Sequence, residues 1–277
     1  MHLKIWEAII YGIFGGIAEL LPISFSGHAV LLRNAFHMSS LTDGGGYFVR
    51  AAICIGVSLA IYLSFPMETK RMLRMFGRRR VRPSQRPNRL QRRSFMLGCI
   101  AFFITLFSLF FLAAAERIER LLYVIVFFAV NAGILYLCCR GRVGKKDEKT
   151  VTLGDMVLIG IMRMLSVFPG MSALGSSVAI GRARGISLQY NVRIAYMLTL
   201  AYQAVVFVFY LIRGFAFGSF STGIILPCLF ALIFSAVFGY FAIQYFRYLL
   251  QRVKLKVFVF YCLEVAALAA ILALINA

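Results

Sequence analysis

Between Gly12 and Arg33 an apolar run carries a carboxylate, Glu19, two hydroxyls, Ser24 and Ser26, and an imidazole, His28. Such a set can move protons and hold an oxyanion, because carboxylates and imidazoles serve as general acids and bases. Imidazole also titrates near neutral pH. An ionised group at mid-bilayer costs about 2.5–3.5 kcal/mol on insertion scales, so it normally faces a cavity or a partner. Pro22 and Gly27 interrupt the run. Irregular backbone at membrane depth survives only where protein covers it or a wet cavity receives it. The stretch reads as a helix–turn–helix hairpin that enters the membrane and returns.

A second broken stretch runs from Gly160 to Gly185. Pro169 and Gly170 end one half-helix, and Ser172, Gly175, Ser176 and Ser177 open the next. Free N–H groups at such a helix start, with the helix dipole behind them, favour an anion. Arg163 sits in the apolar run before the break, where it either neutralises a bound anion or pairs with Glu19. Glu19 equally suits a structural ion pair, and His28 a hydrogen-bonded cap. Ser24 and Ser172 equally suit capping, for which serine is preferred. Arg182 and Arg184 read as snorkelling residues at a membrane face.

Hydrophobic residues make up 61% of the 277, with a mean hydropathy of +0.85. Soluble domains sit nearer 45–50% apolar, so the chain is an integral membrane protein. The first apolar run is long and already carries Glu19, unlike a removable signal peptide. Six cysteines fall in apolar runs without metal-site spacing and read as reduced core thiols. The net charge of +20 is concentrated beside apolar runs. Eleven cations lie between Lys70 and Arg93, interrupted by Pro83 and Pro87. No interleaved aromatics offer a stacking platform, which argues against nucleic acid. These clusters instead mark cytoplasmic loops by the positive-inside rule and suit anionic membrane lipids.

The elements that must position these groups follow from hydropathy. We expect an all-α polytopic membrane protein with two units, 1–150 and 151–277. The first holds a hairpin at about 5–37, spans at about 47–65, 95–115 and 121–139, and the basic loop 70–93. The second holds a hairpin at about 155–187 and spans at about 190–212, 223–246 and 257–275. Three spans separate the hairpins, so the second unit starts on the opposite face. That is an inverted-topology repeat, whose broken elements typically meet near the midplane.

The run Glu19-Leu20-Leu21-Pro22-Ile23-Ser24-Phe25-Ser26-Gly27-His28 resembles the motif E-F-L-P-[VI]-S-S-T-G-H of the undecaprenyl-diphosphatase family, the bacitracin-resistance membrane phosphatases. The run from Pro169 to Ser177 resembles that family's P-G-x-S-R-S-G-A-T. The resemblance implies two re-entrant hairpins among six spans in the bacterial inner (plasma) membrane. It implies removal of a phosphate from undecaprenyl diphosphate in cell-wall precursor recycling, with Mg²⁺ or Ca²⁺ as cofactor. Carried onto this chain, Glu19, His28 and Ser172 are the catalytic candidates, with Glu19 also the metal ligand. Ser24, Ser26, Gly27, Arg163, Gly170, Ser176 and Ser177 are the substrate-binding candidates.

The chain departs from the family pattern at chosen points. Gly15 replaces one carboxylate of E-x-x-x-E, and Phe25 replaces a serine. Ala173 and Leu174 replace the arginine and serine of the second motif, while Arg50 and Arg193 stand at acidic positions. One carboxylate makes a poor magnesium site. A second reading therefore stays open, a catalytically degenerate relative that binds or translocates lipid phosphates. A homodimer also stays open.

Overall fold

The computed structural model describes residues 4–39, 41, 44–76, 88–118, 120–140, 144–218, 220–252 and 255–276. The cations and prolines expected at 77–87 fall outside them. Every element described is helical: α1 (Ile5–Leu20), α2 (Phe25–Phe36), α3 (Gly46–Ser64), α4 (Pro66–Phe76), α5 (Arg89–Leu106), α6 (Ser108–Ala115), α7 (Leu121–Arg140), α8 (Leu153–Leu165), α9 (Ala173–Ala183), α10 (Leu188–Phe217), α11 (Ile225–Gln251) and α12 (Lys256–Ile275). A short 3-10 turn, Thr222–Ile224, leads into α11.

Length separates these helices into two kinds. At 1.5 Å per residue, α1, α2, α8 and α9 reach only about 24, 18, 20 and 17 Å. A hydrocarbon core of about 30 Å exceeds all four. Six segments among the described residues are long and apolar enough to cross: 46–64, 89–115, 121–140, 188–217, 222–250 and 256–275. The short helices form two pairs, α1 with α2 and α8 with α9, each pair preceding three of these segments. Exposed phenylalanines such as Phe110, Phe241 and Phe260 face outward, as a lipid environment requires.

Small residues bring the first hairpin against its neighbours. A methyl on Gly16 would collide with the Ser235 carbonyl oxygen of α11, and one on Gly56 of α3 with the Ser235 hydroxyl. Close backbone approach of this kind drives helix association where no water is expelled. The loop after α2 is tied to α1 through Tyr11, whose hydroxyl donates to Ser39 O at 2.9 Å, and Glu7, which accepts from Ser39 N at 3.2 Å.

The second hairpin is anchored at its base by Asp155. Thr152 and Asp155 cap α8 reciprocally, at 3.0 and 3.3 Å. The buried Asp155 carboxylate also pairs with Lys146 at 2.9 Å and Arg184 at 2.8 Å, tying the preceding loop and the end of α9 to the start of α8. Burial alone would raise its pKa, but the Thr152, Lys146 and Arg184 hydrogen bonds outweigh that and hold it at about 2. Arg184, expected to snorkel at a membrane face, is exposed and is also an ion-pair partner. Arg182, expected at the membrane face, is buried at 8% exposure.

Candidate active site between the two hairpins

The hairpin breaks meet in the core, and each satisfies the other's backbone. A helix end leaves carbonyls without intrahelical donors, and lipid offers none to take them. The three carbonyls at the end of α1 each find a side chain. Tyr196 OH donates to Leu20 O at 2.9 Å, Ser172 Oγ to Leu21 O at 3.3 Å, and Asn131 Nδ2 to Pro22 O at 3.3 Å. The second break is served in return. Gly170 N donates to Ser24 Oγ at 3.0 Å, and Ser172 N donates to Asn131 Oδ1 at 3.2 Å. Ser24 and Ser172 also cap α2 and α9, accepting from Gly27 N at 3.3 Å and Gly175 N at 3.0 Å. Gly170 adopts φ +112, and a side chain there would press on Phe127, so only glycine fits.

Beside the breaks lies a cavity of about 100 Å³. Of the expected site residues, Glu19, Ser24, Ser26, Arg163 and Ser172 line it. Arg50 lines it as well, together with Phe25, Thr199, Gln203, Tyr210 and Glu116. Glu19 is half-buried, and Arg50, Arg163 and the Gln203 side chain are grouped about its carboxylate. Ser26 is half-buried and its hydroxyl sits 3.1 Å from that of Ser24.

Arg163 is only 2% exposed. Its NH1 donates to Ser177 Oγ at 3.0 Å and lies 3.4 Å from Ala173 O; NH2 donates to Thr199 Oγ1 at 3.2 Å. All these partners are neutral, and Nε has no hydrogen-bond partner. The ion pair with Glu19 weighed from the sequence does not form.

Arg50 is held differently. Its Nε donates to Tyr210 OH at 3.0 Å, and its guanidinium lies 4.8 Å from the Phe25 ring centroid. Glu116 accepts from Tyr210 and stands between two cations, 4.0 Å from Arg50 NH2 and 3.9 Å from Arg213 NH1.

Five expected site residues do not line the cavity. His28 is buried elsewhere, against Phe14, Phe128 and Tyr261. Its Nδ1 bonds the Ser24 carbonyl at 2.5 Å, and its Nε2 meets Tyr261 OH at 2.7 Å. A carbonyl cannot donate, so Nδ1 carries the proton; in the neutral ring Nε2 accepts from the tyrosine. Both nitrogens are thereby engaged away from the cavity. Gly27 packs on Phe128 and the Gly170 backbone, and Ser176 bonds Ser166 Oγ at 2.9 Å. Ser177 positions Arg163, and Gly170 acts through its amide. Arg193 is half exposed near Glu68, 4.0 Å away, outside the cavity lining.

The sequence reading missed Asn131, Gln203, Tyr210 and Thr199. Two signals were available. Asn131 is a lone amide in the apolar run of α7, and Thr199, Gln203, Val206 and Tyr210 recur at helical spacing on one face of α10. Arg50 was noticed only as a departure from the family pattern.

The family model described as bacitracin resistance protein BacA matches residues 8–268. The chain belongs to the BacA family. It is similar to an undecaprenyl-diphosphatase of Rubrobacter xylanophilus, 27% identical over 159 residues, which cover 57% of each chain. It is also similar to undecaprenyl-diphosphatase 3 of Bacillus cereus, 26% identical over 155 residues, 56% of this chain and 53% of that one. A 62-residue stretch is 39% identical to undecaprenyl-diphosphatase 4 of Bacillus thuringiensis, 22% of each chain. The matched segments thus span about half, or less, of these relatives' length.

The donor set of this cavity is poor in carboxylates, which are Glu19 and Glu116, and holds two guanidinium groups, Arg50 and Arg163. A divalent ion of the Mg²⁺ or Ca²⁺ kind takes six or more oxygens, with carboxylates prominent. Among the described residues, no group of three or more His, Cys, Asp or Glu side chains converges. The space of a second carboxylate is filled, since a Cβ on Gly15 would lie 2.6 Å from Ile53 Cγ2.

Proposed function

We propose that this membrane protein removes a phosphate from a polyprenyl diphosphate lipid carrier, in the recycling of cell-wall precursors. The observation that carries the reading is one cavity receiving Glu19, Ser24, Ser26, Ser172 and Arg163 from two hairpins, with Arg50 beside Glu19. A diphosphate head placed there meets two guanidinium groups, the first-turn amides of α9 and the Ser26 hydroxyl. Positioned cations and dipoles lower the cost of charge developing on phosphoryl oxygens.

Glu19 then serves as general base. Water attacks the terminal phosphorus and gives its proton to Glu19. A new P–O bond forms as the bond to the bridging oxygen breaks. The electron pair stays on that oxygen, which leaves as the lipid monophosphate. Glu19 is the residue for the task because it is the carboxylate at the breaks with residual exposure to the cavity. Ser172 donates to Leu21 O and accepts from Gly175 N, so its part is to hold the break. His28 positions α2 from behind.

A divalent cation does not fit the residues present, because the one carboxylate at the breaks stands beside Arg50 and Arg163. The guanidinium groups supply the positive charge in this reading. With the basic clusters in the cytoplasm, Glu116 lies towards the outer face, and the cavity opens in that half of the bilayer. The two hairpins, each followed by three crossing segments, support an inverted repeat of the units 1–150 and 151–277. Anionic head groups would meet the cations of α4, Lys70, Arg71 and Arg74.

A second reading has its own support. Ile53 occupies the space of a second carboxylate, and Phe25 lines the cavity where the family motif has a hydroxyl. Such a site suits a relative that binds or translocates lipid phosphates without turnover. Reconstituted protein given a C55 or shorter prenyl diphosphate separates the two. Phosphate release abolished by Glu19→Gln supports hydrolysis. Saturable binding with no release, together with transbilayer movement of the lipid, supports the second reading and removes the first.

A further inference from the structure

Glu264 is a carboxyl group that the rest of the chain leaves unserved. It is the ninth of the 20 residues of α12, about 12 Å along a helix of about 30 Å, which puts it close to mid-membrane. It is exposed on the outside of the helix bundle, in line with Phe260, Leu268 and Ile271, and away from the cavity. Among the described residues nothing hydrogen-bonds or ion-pairs with it. A carboxyl group facing hydrocarbon is costly, and ionisable residues within crossing segments normally have a partner.

The neighbouring helix offers room at the same depth. Asn131 Nδ2 lies 3.3 Å from Cys262 Sγ, which sets the level of α7 against α12. Two residues turn a helix by about 200°, so Glu264 on one helix and Ala129 and Gly133 on the other point away from that buried contact. All three are exposed, and a methyl on Gly133 would meet nothing within 4 Å. Ala267 continues the small patch on α12. Small residues four apart let a second helix approach closely within lipid.

Symmetry favours a second copy on this face. Two copies inserted by the same positive-inside rule share one orientation, so a two-fold axis relating them runs along the membrane normal. Each residue then meets its counterpart at its own depth. A carboxylic acid holds both a donor and an acceptor, so two Glu264 side chains complement each other where two lysines would repel. A partner of other sequence would have to bring a polar group to that same depth.

We propose that a second copy of this chain docks on the outward face of α7 and α12. The two Glu264 carboxyls hydrogen-bond across the axis, and Ala129, Gly133 and Ala267 let the helices close. The pairing is independent of the hydrolytic reading.

The full chain, labelled at its N-terminal amine in separate donor and acceptor pools, is reconstituted into phosphatidylethanolamine–phosphatidylglycerol vesicles at falling protein-to-lipid ratio. Energy transfer should fall along a dimer dissociation curve. Glu264→Leu should move that curve about ten-fold towards higher protein density, the loss of two interhelical hydrogen bonds. Gly133→Leu should move it in the same direction by blocking close approach. Both positions are open to lipid, so the fold of the single chain is not at stake. Glu264→Gln, whose amide also donates and accepts, should leave the curve nearly in place. A natural chain that stays monomeric at every ratio overturns the proposal and leaves Glu264 to a partner of another kind. A Glu264→Leu curve equal to that of the parent overturns it as well. A Gln variant as weak as the Leu variant overturns the mutual pairing of carboxyls.

Discussion

The Ser24 hydroxyl accepts a hydrogen bond from the Gly170 amide at 3.0 Å, joining two hairpin breaks 146 positions apart in the chain. The same oxygen accepts from Gly27 N at 3.3 Å and caps α2. One buried atom therefore serves both hairpins, and neither break is satisfied alone. Ser24→Ala leaves two buried amides without an acceptor. At about 1–3 kcal/mol for a stranded buried group, a lower unfolding midpoint in detergent is expected. An unchanged midpoint would show that the hairpins do not depend on this link.

Asn131 repeats the arrangement from a third element. Its oxygen takes Ser172 N and its nitrogen serves Pro22 O. Asn131→Leu keeps the volume and strands both groups, so it should destabilise by about 2 kcal/mol or more. Asn131→Asp should restore only the acceptor half. Comparing the two midpoints checks the assignment; equal values for Leu and Asp would contradict it.

In the proposed reaction Glu19 takes the proton of the attacking water. Glu19→Gln preserves shape and its contact with Gln203 but removes the base. A fall of about 10²–10⁴-fold in kcat is expected, the range general-base catalysis spans, with little change in KM. Full activity of this variant against a prenyl diphosphate would move the base elsewhere.

His28 makes the opposite case. With both nitrogens engaged and the ring outside the cavity lining, His28→Gln should lower the unfolding midpoint. The shape of the pH–rate profile should stay as it was, because a positioning residue does not titrate in the reaction. Loss of one limb of that profile would return His28 to the chemistry.

Asp155 sets the acid limit of the second hairpin. Its pKa is depressed from an ordinary 3.8 to about 2 in the folded chain. A depressed carboxylate contributes stability that is fully present above its unfolded value and is lost as pH falls through the folded one. The contribution should therefore fade between about pH 4 and pH 2. Asp155→Asn should lower the unfolding midpoint at pH 7, and the gap between variant and parent should narrow below pH 4. A gap that is constant with pH would mean that the ion pairs with Lys146 and Arg184 contribute nothing.

The membrane class, the helical architecture and the two broken stretches were legible along the chain because each is a local property. An apolar run of sufficient length identifies a span, and Pro22, Gly27, Pro169 and Gly170 identify breaks. The motif around Glu19 also pointed to the family, and Glu19, Ser24, Ser26, Arg163 and Ser172 do share one cavity.

What the tertiary structure decided is which polar groups face which. His28 is only one helical turn from Ser24, yet its ring is taken up by Phe14, Phe128 and Tyr261, the last 233 positions away, and does not line the cavity. Arg50, marked only as a departure from the family pattern, and Gln203, not marked at all, come to Glu19 because α3 and α10 pack beside the first break. Arg163, weighed as a partner of Glu19 or of a bound anion, gives its hydrogen bonds to Ser177 and Thr199. Residue type and local spacing fix what a side chain is able to do and how the backbone runs near it. The partner of a buried charge depends on helix rotation and on contacts between distant segments, which no local pattern encodes.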